Sequence, residues 1–280
     1  MQHTAIGLIW LLLLSAHLPP AVADAGSGAI RIAIIIDDLG NDWDSDNRAL
    51  ELPGNLSYAF LPHAPHSQRL AQRAHALGKD VMLHLPMESV APHPLGPGAL
   101  TLDMTREAFF RTLAENIDTI PHVAGINNHM GSLLTRHPGH MQWLMEGIRQ
   151  HGNLFFLDSR TTHHTVAEQL AYENDVPVVR RDVFLDDDPA PDAIATQFQR
   201  LIDKAHRQGH AVAIGHPYDS TLSLLHTDIP KLAEMNIELV PISRLVTDIQ
   251  PSPDNVDNTL VYLNPPSKLA NFTPNRYLAR

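Results

Sequence analysis

The sequence predicts an α/β chain, a distorted (β/α) barrel of seven to eight mainly parallel strands. Three observations lead there. Short, continuous apolar runs rich in β-branched residues recur along the chain, as in strands buried on both faces of a parallel sheet. Between them lie longer stretches with apolar residues at helical spacing, so strands and helices alternate as βα units. Eight strand-like runs can be counted, which favours a closed or nearly closed barrel over an open doubly wound sheet.

Each element has its own justification. Residues 30–36 are almost wholly apolar and lead into Asp37-Asp38-Leu39-Gly40. Residues 56–61 form a second strand, and 67–77 read as a helix stopped by Gly78. Residues 80–85 are the next strand, carrying His84 into Leu85-Pro86-Met87-Glu88, where the proline favours extended backbone before it. A helix over 105–120 places Phe109, Leu113, Ile117 and Ile120 on one stripe. Residues 123–127 run as a strand into Asn128-His129-Met130-Gly131, and 141–150 are helical up to Gly152. In the second half, 154–157 lead into Asp158-Ser159-Arg160, and an extended run over 176–185 leads into Asp186-Asp187-Asp188. A helix over 191–206 starts on proline and ends at Gly209. Residues 211–214 precede Gly215-His216-Pro217, 222–235 are helical, and 237–242 form the last strand.

The chain ends read differently. Residues 1–23 contain no Lys, Arg, Asp or Glu, with an apolar core at 6–14, Pro19-Pro20, and then Ala21-Val22-Ala23. That is the pattern of a secretory signal cleaved after Ala23, with Ala25 as the second choice and an uncleaved anchor as the alternative, since a membrane span needs roughly 18 or more apolar residues. Residues 24–29 are a linker, 30–247 the barrel, and 248–280 a Pro/Asn-rich tail. No other stretch is long and apolar enough to span a bilayer. The expectation is an exported protein of the periplasm.

Composition narrows the chemistry. With no cysteine, disulfides and thiolate metal sites are excluded, and any metal falls to carboxylates and some of the 18 histidines. A net charge of −11 argues against nucleic acid or an anionic membrane as the main partner. G-x-S-x-G, H-E-x-x-H and P-loop motifs are missing, which sets aside serine hydrolases, zincins and nucleotide hydrolases.

Position carries the functional reading. Nearly every strand ends in a polar or ionisable cluster, and in a βα barrel all strand C-termini open onto one face. The residues expected to meet there are Asp37, Asp38, His84, His129 and His216. Taken alone, Asp37-Asp38 equally fits a helix cap or Asx-turn, and His84 a buried, hydrogen-bonded histidine. Around them stand Asp158, suited to fixing a histidine tautomer, Arg160, suited to binding substrate or pairing with Asp37, Asn128, and Glu88 as an alternative ligand. The pairs His63/His66, His137/His140 and His163/His164 read as loop and helix-start residues, and 186–188 as a solvated, helix-capping acidic turn, with lining of the site as the alternative for Asp186 at its strand end.

In order, Ile34-Ile35-Ile36-Asp37-Asp38-Leu39-Gly40, His84-Leu85-Pro86-Met87-Glu88, Asn127-Asn128-His129-Met130-Gly131-Ser132, Leu157-Asp158-Ser159-Arg160 and Gly215-His216-Pro217 resemble the divergent polysaccharide deacetylases. The resemblance spans about residues 30–246 and implies a metal-dependent hydrolase that removes N-acetyl groups from a polysaccharide. It implies Asp37 as the base, Asp38 as a metal ligand and His216 as the general acid. His84 matches the first of two histidines that typical members place four residues apart, but Glu88 stands at the second position. His129 is the preferred replacement, so the expected ligand set for a divalent ion, zinc by its donors, is Asp38, His84 and His129. The expected partner is an N-acetylated glycan. Glu88 in place of histidine keeps open a rival: a catalytically inactive envelope protein that binds glycan or another protein on the same barrel.

Overall fold

The computed structural model describes residues 29–249. The expected signal segment, nearly all of the linker, and the tail from residue 250 lie outside the described residues. Among the described residues there are nine strands: β1 (Ile30–Leu39), β2 (Ser57–Phe60), β3 (Asp80–Met87), β4 (Val123–Met130), β5 (Phe155–Asp158), β6 (Val178–Arg180), β7 (Val183–Phe184), β8 (His210–Gly215) and β9 (Ile237–Leu239). Every ladder between them is parallel. The helices α1 (Trp43–Leu50), α2 (Ser67–Ala76), α3 (Arg106–Thr119), α4 (Pro138–Gln150), α5 (Ala167–Glu173), α6 (Pro191–Gln208), α7 (Asp219–Asp228) and α8 (Ile242–Ile249) complete the set, with 3-10 turns at Leu134–Arg136 and Ile229–Met235.

The strand order is β6-β5-β4-β3-β2-β1-β8-β7, with β9 also paired to β1. Its two ends, β6 and β7, are joined by only Arg181 and Asp182, so the sheet must curl until its edges meet. The Arg181 amide donates to Asp158 O at the end of β5, while the Asp182 amide donates to Val212 O on β8. Two consecutive residues thus bridge the seam, across which no β6–β7 ladder forms. The strand count exceeds the expected seven to eight because the run 176–185 is split here in two.

Side-chain alternation sorts the apolar residues into two layers. Ile32, Ile34 and Ile36 join the helices in an outer core. Ala33, Ile35, Ala59, Met82, Phe155, Leu157, Val212 and Ile214 fill the barrel interior together with Ile242, Leu245 and Val246 of α8. That last helix corrects the sequence reading, which ran a strand to residue 242 and began a tail at 248. Its start is fixed from the bottom of the barrel: Ser57 Oγ accepts from the Ile242 amide at 2.9 Å, and Asp80 Oδ2 from the Ser243 amide at 2.9 Å. Apolar residues at 242, 245, 246 and 249 form one helical stripe, which closes the floor. Two further helices, α1 and α5, were not anticipated from sequence. The expected helix over 222–235 is α7 followed by the second 3-10 turn.

Candidate metal centre

The same alternation that builds the interior decides what stands above it. Ala33 and Ile35 point inward, so Asp37 does too, and it is 2% exposed. On β3, Met82 points inward, so His84 does as well, and the β3–β4 register sets His84 beside Asn127. On β8, Val212 and Ile214 are followed inward by His216. Asp38 should then face outward, but β1 breaks register with β2 between Ile36 and Leu39, and Asp38 has φ 63°. The bulge and the left-handed turn bring its carboxylate back over the rim. Gly40, with φ 124°, continues the turn, and a Cβ there would run into Ser67 Oγ.

Three lone-pair atoms converge. Asp38 Oδ1 lies 3.0 Å from His84 Nε2 and 2.9 Å from His129 Nδ1, and the two nitrogens are 3.1 Å apart. Although buried and this close to two ring nitrogens, Oδ1 makes no aligned hydrogen bond. All three atoms face one another around a common point. Zinc held by nitrogen and oxygen at about 2.0–2.1 Å with tetrahedral angles would set its ligand atoms about 3.3 Å apart, close to this triangle. Among the described residues this is the one such cluster of three His or carboxylate donors. The donor set therefore fits a divalent cation of the zinc type.

Each surrounding group is fixed in turn. Asn127 Oδ1 meets His84 Nδ1 at 2.9 Å, and Asn127 Nδ2 donates to both Asp37 oxygens at 3.0 Å. The amide thus sets the His84 tautomer so that Nε2 faces the cluster. Burial drives the Asp37 pKa upward, against the opposing charges of His84 and His216. Burial also works to raise that of Asp38, but His129 and His84 outweigh it and hold the carboxyl well below its usual range. Burial disfavours charge on His84, yet Asp37 and Asp38 push its pKa up to about 9. On the far side, His216 Nε2 stands 3.7 Å from Asp38 Oδ2, and its Nδ1 bonds Asp186 Oδ1 at 2.9 Å. Asp186 Oδ2 also accepts from the His216 amide and from Thr221 Oγ1, both at 2.7 Å. Burial opposes charge on His216, but Asp186 and Asp38 raise its pKa overall. The group lines a cavity of about 530 Å³.

Two expected neighbours are not there. Asp158 follows inward-facing Leu157 and so points outward, where it accepts from the Arg160 amide and Thr165 Oγ1, both at 2.9 Å. It fixes no histidine; Asn127 and Asp186 hold those places. Glu88 is no ligand either, because the loop returning beside β3 puts the Leu102 amide on its Oε2 at 2.7 Å. Asn128 braces the rim, accepting from the Ser159 amide and donating to Met130 O. Arg160 lines the cavity and has no ion pair with Asp37. Asp186 is a buried partner of His216 rather than part of a solvated turn. Its signal in the sequence was its place at the end of an extended run, which set it apart from Asp187 and Asp188 without naming His216 as its partner.

Fold and site together define a class of barrel with a carboxylate–histidine centre at its C-terminal mouth. This chain belongs to the divergent polysaccharide deacetylase family, whose model matches residues 34–246. It is 38% identical over 220 residues to the uncharacterized protein YibQ of Escherichia coli (strain K12), covering 79% of this chain and 68% of that protein. It is 35% identical over 215 residues to an uncharacterized protein of Haemophilus influenzae, covering 77% and 76%. The crystal structure of an uncharacterized protein from Agrobacterium tumefaciens C58 superposes with a TM-score of 0.74 at 22% identity, covering 79% of this chain and 91% of that one.

Proposed function

We propose that the protein is an exported, metal-dependent hydrolase that removes N-acetyl groups from an envelope glycan in the periplasm. The observation that carries this reading is the triangle of Asp38, His84 and His129 donors with Asp37 on one side and His216 on the other. Asp38, His84 and His129 would hold a divalent ion, zinc by the donors, which when bound would supply Lewis-acid polarisation of the acyl carbonyl and make water easier to deprotonate. Asp37, pinned by Asn127 through both oxygens, accepts the proton of the attacking water. His216 Nε2 then gives a proton to the leaving nitrogen as the amide C–N bond breaks, yielding acetate and a free amine. The Asp186 carboxylate on Nδ1 favours the charged imidazole and fixes its orientation for that transfer. His129 supports an active reading over the inactive one, because it completes a three-donor set without a histidine at position 88.

The test is metal content and acetate release on the same preparation. Purified full chain is expected to hold one zinc equivalent and to release acetate from N-acetylglucosamine oligomers, and chelation should abolish release. Protein that takes up no divalent ion, or that holds one and releases no acetate from any N-acetylhexosamine oligomer, sinks the reading. Export is checked separately: the mature protein should appear in the periplasmic fraction with a mass lacking residues 1–23.

A further inference from the structure

The cavity that holds the donor triangle also takes in Arg160 and Arg181. Both side chains are half-buried, and neither has an ion pair with a carboxylate among the described residues. Arg181 is anchored: Nε donates to Ser159 O at 2.6 Å, Nη2 to Arg160 O at 3.0 Å, and its guanidinium lies 4.8 Å from the Phe184 ring centre. Burial lowers its pKa, and the charge of Arg160 works in the same direction against Asp37, Asp158 and Asp187. Two like charges thus share one enclosure. Arg160 is held only through its backbone, at φ 48°, with its amide on Asp158 and its carbonyl under Arg181. A non-glycine residue kept in that conformation from both sides points to a functional placement. Its guanidinium makes no hydrogen bond among the described residues, leaving a planar fork of donors suited to a carboxylate.

We propose that Arg160, backed by Arg181, is an anion subsite and that the preferred glycan carries a carboxylate close to its N-acyl group. This inference rests on the deacetylase reading for the role of the neighbouring centre. Three carboxylates share the lining: Asp187 is exposed, so solvent and salt screen its opposing field, while Asp37 and Asp38 face His84, His129 and His216, which offset theirs. The carboxylate can come from an acidic ether on the sugar or from the ring itself, as in a uronic acid, and both present the same planar group.

Calorimetric titration of the zinc-loaded full chain tests it with three probes: N-acetylglucosamine, N-acetylmuramic acid and N-acetylgalactosaminuronic acid. At least one acidic sugar should bind about tenfold more tightly than the neutral one, the size of one charge-assisted hydrogen bond. The stronger acid identifies the source of the carboxylate. The preference should shrink with added salt, nearly vanish in Arg160→Gln and survive in part in Arg160→Lys, which keeps the charge without the fork. If Arg160→Gln does not fold, the lysine variant and the salt series carry the test. Equal binding of neutral and acidic sugars, no detectable binding of either acid, or an acid preference that persists in Arg160→Gln overturns the subsite. Acid preference in a protein that releases no acetate from any N-acetylhexosamine oligomer overturns the deacetylase reading and leaves the subsite standing.

Discussion

The Asp38 carboxylate reaches two imidazoles because its own backbone leaves the strand, and its partners are held just as specifically. Replacing Asp38 with Asn keeps the shape and tolerates φ 63°, but should leave the purified protein short of stoichiometric zinc. Asn127→Ala, which frees the His84 tautomer, should weaken zinc binding by roughly 10–100-fold, read by competition with a chelator. In metal-free protein His84 titrates near 9, against about 6.5 for an unfolded histidine. Its contribution to stability is therefore complete below about 6.5 and is lost as pH rises through 9. Urea midpoints of metal-free protein should fall over that window. Zinc must displace the same proton, so its affinity should climb across that range and binding should release a proton into the buffer. The proposed mechanism needs His216 protonated, and Asp186 helps raise its pKa. Asp186→Asn should thus move the alkaline limb of kcat/KM to lower pH, whereas His216→Ala should lower kcat by roughly 10²–10⁴-fold.

The elements obey a simpler rule, in which each strand tip offers only every second residue to the cleft. That rule places Asp37, Asn127 and His216 inside and sends Asp158 outside, although all four stand within three residues of a strand's C-terminal end. The sequence pattern located the tips because apolar runs are visible as runs. Inward or outward facing depends on where alternation is interrupted, and β1 interrupts it at Asp38. Gly40 sustains that interruption, in a conformation reserved for glycine. Gly40→Ala should cost about 1–3 kcal/mol or more and weaken zinc binding as well, since it tilts the loop that carries Asp38. A thermal melt with unchanged zinc affinity would separate those two effects and count against this coupling.

Across the whole molecule, a curled sheet is sealed at its seam by Arg181 and Asp182 and at its floor by α8, leaving the C-terminal mouth to hold the centre. The floor is more than filler. Leu245 is fully buried in the barrel interior, and Leu245→Ala should cost about 2–5 kcal/mol, measured by denaturant unfolding. Zinc stoichiometry in the folded fraction should survive that change, because the floor and the mouth are at opposite ends of the barrel.

The sequence by itself determined the alternating architecture, the strand tips as the place where polar groups gather, and Asp37, Asp38, His84, His129 and His216 as side chains that would meet there, because periodicity and residue type are local properties. Only the tertiary structure decided that Asp186 and Asn127, and not Asp158, orient the histidines, that Glu88 stands outside the donor cluster, and that α8 closes the barrel. Those outcomes depend on register, on one bulge, and on contacts between residues tens to hundreds of positions apart, none of which leaves a mark in any short stretch of chain.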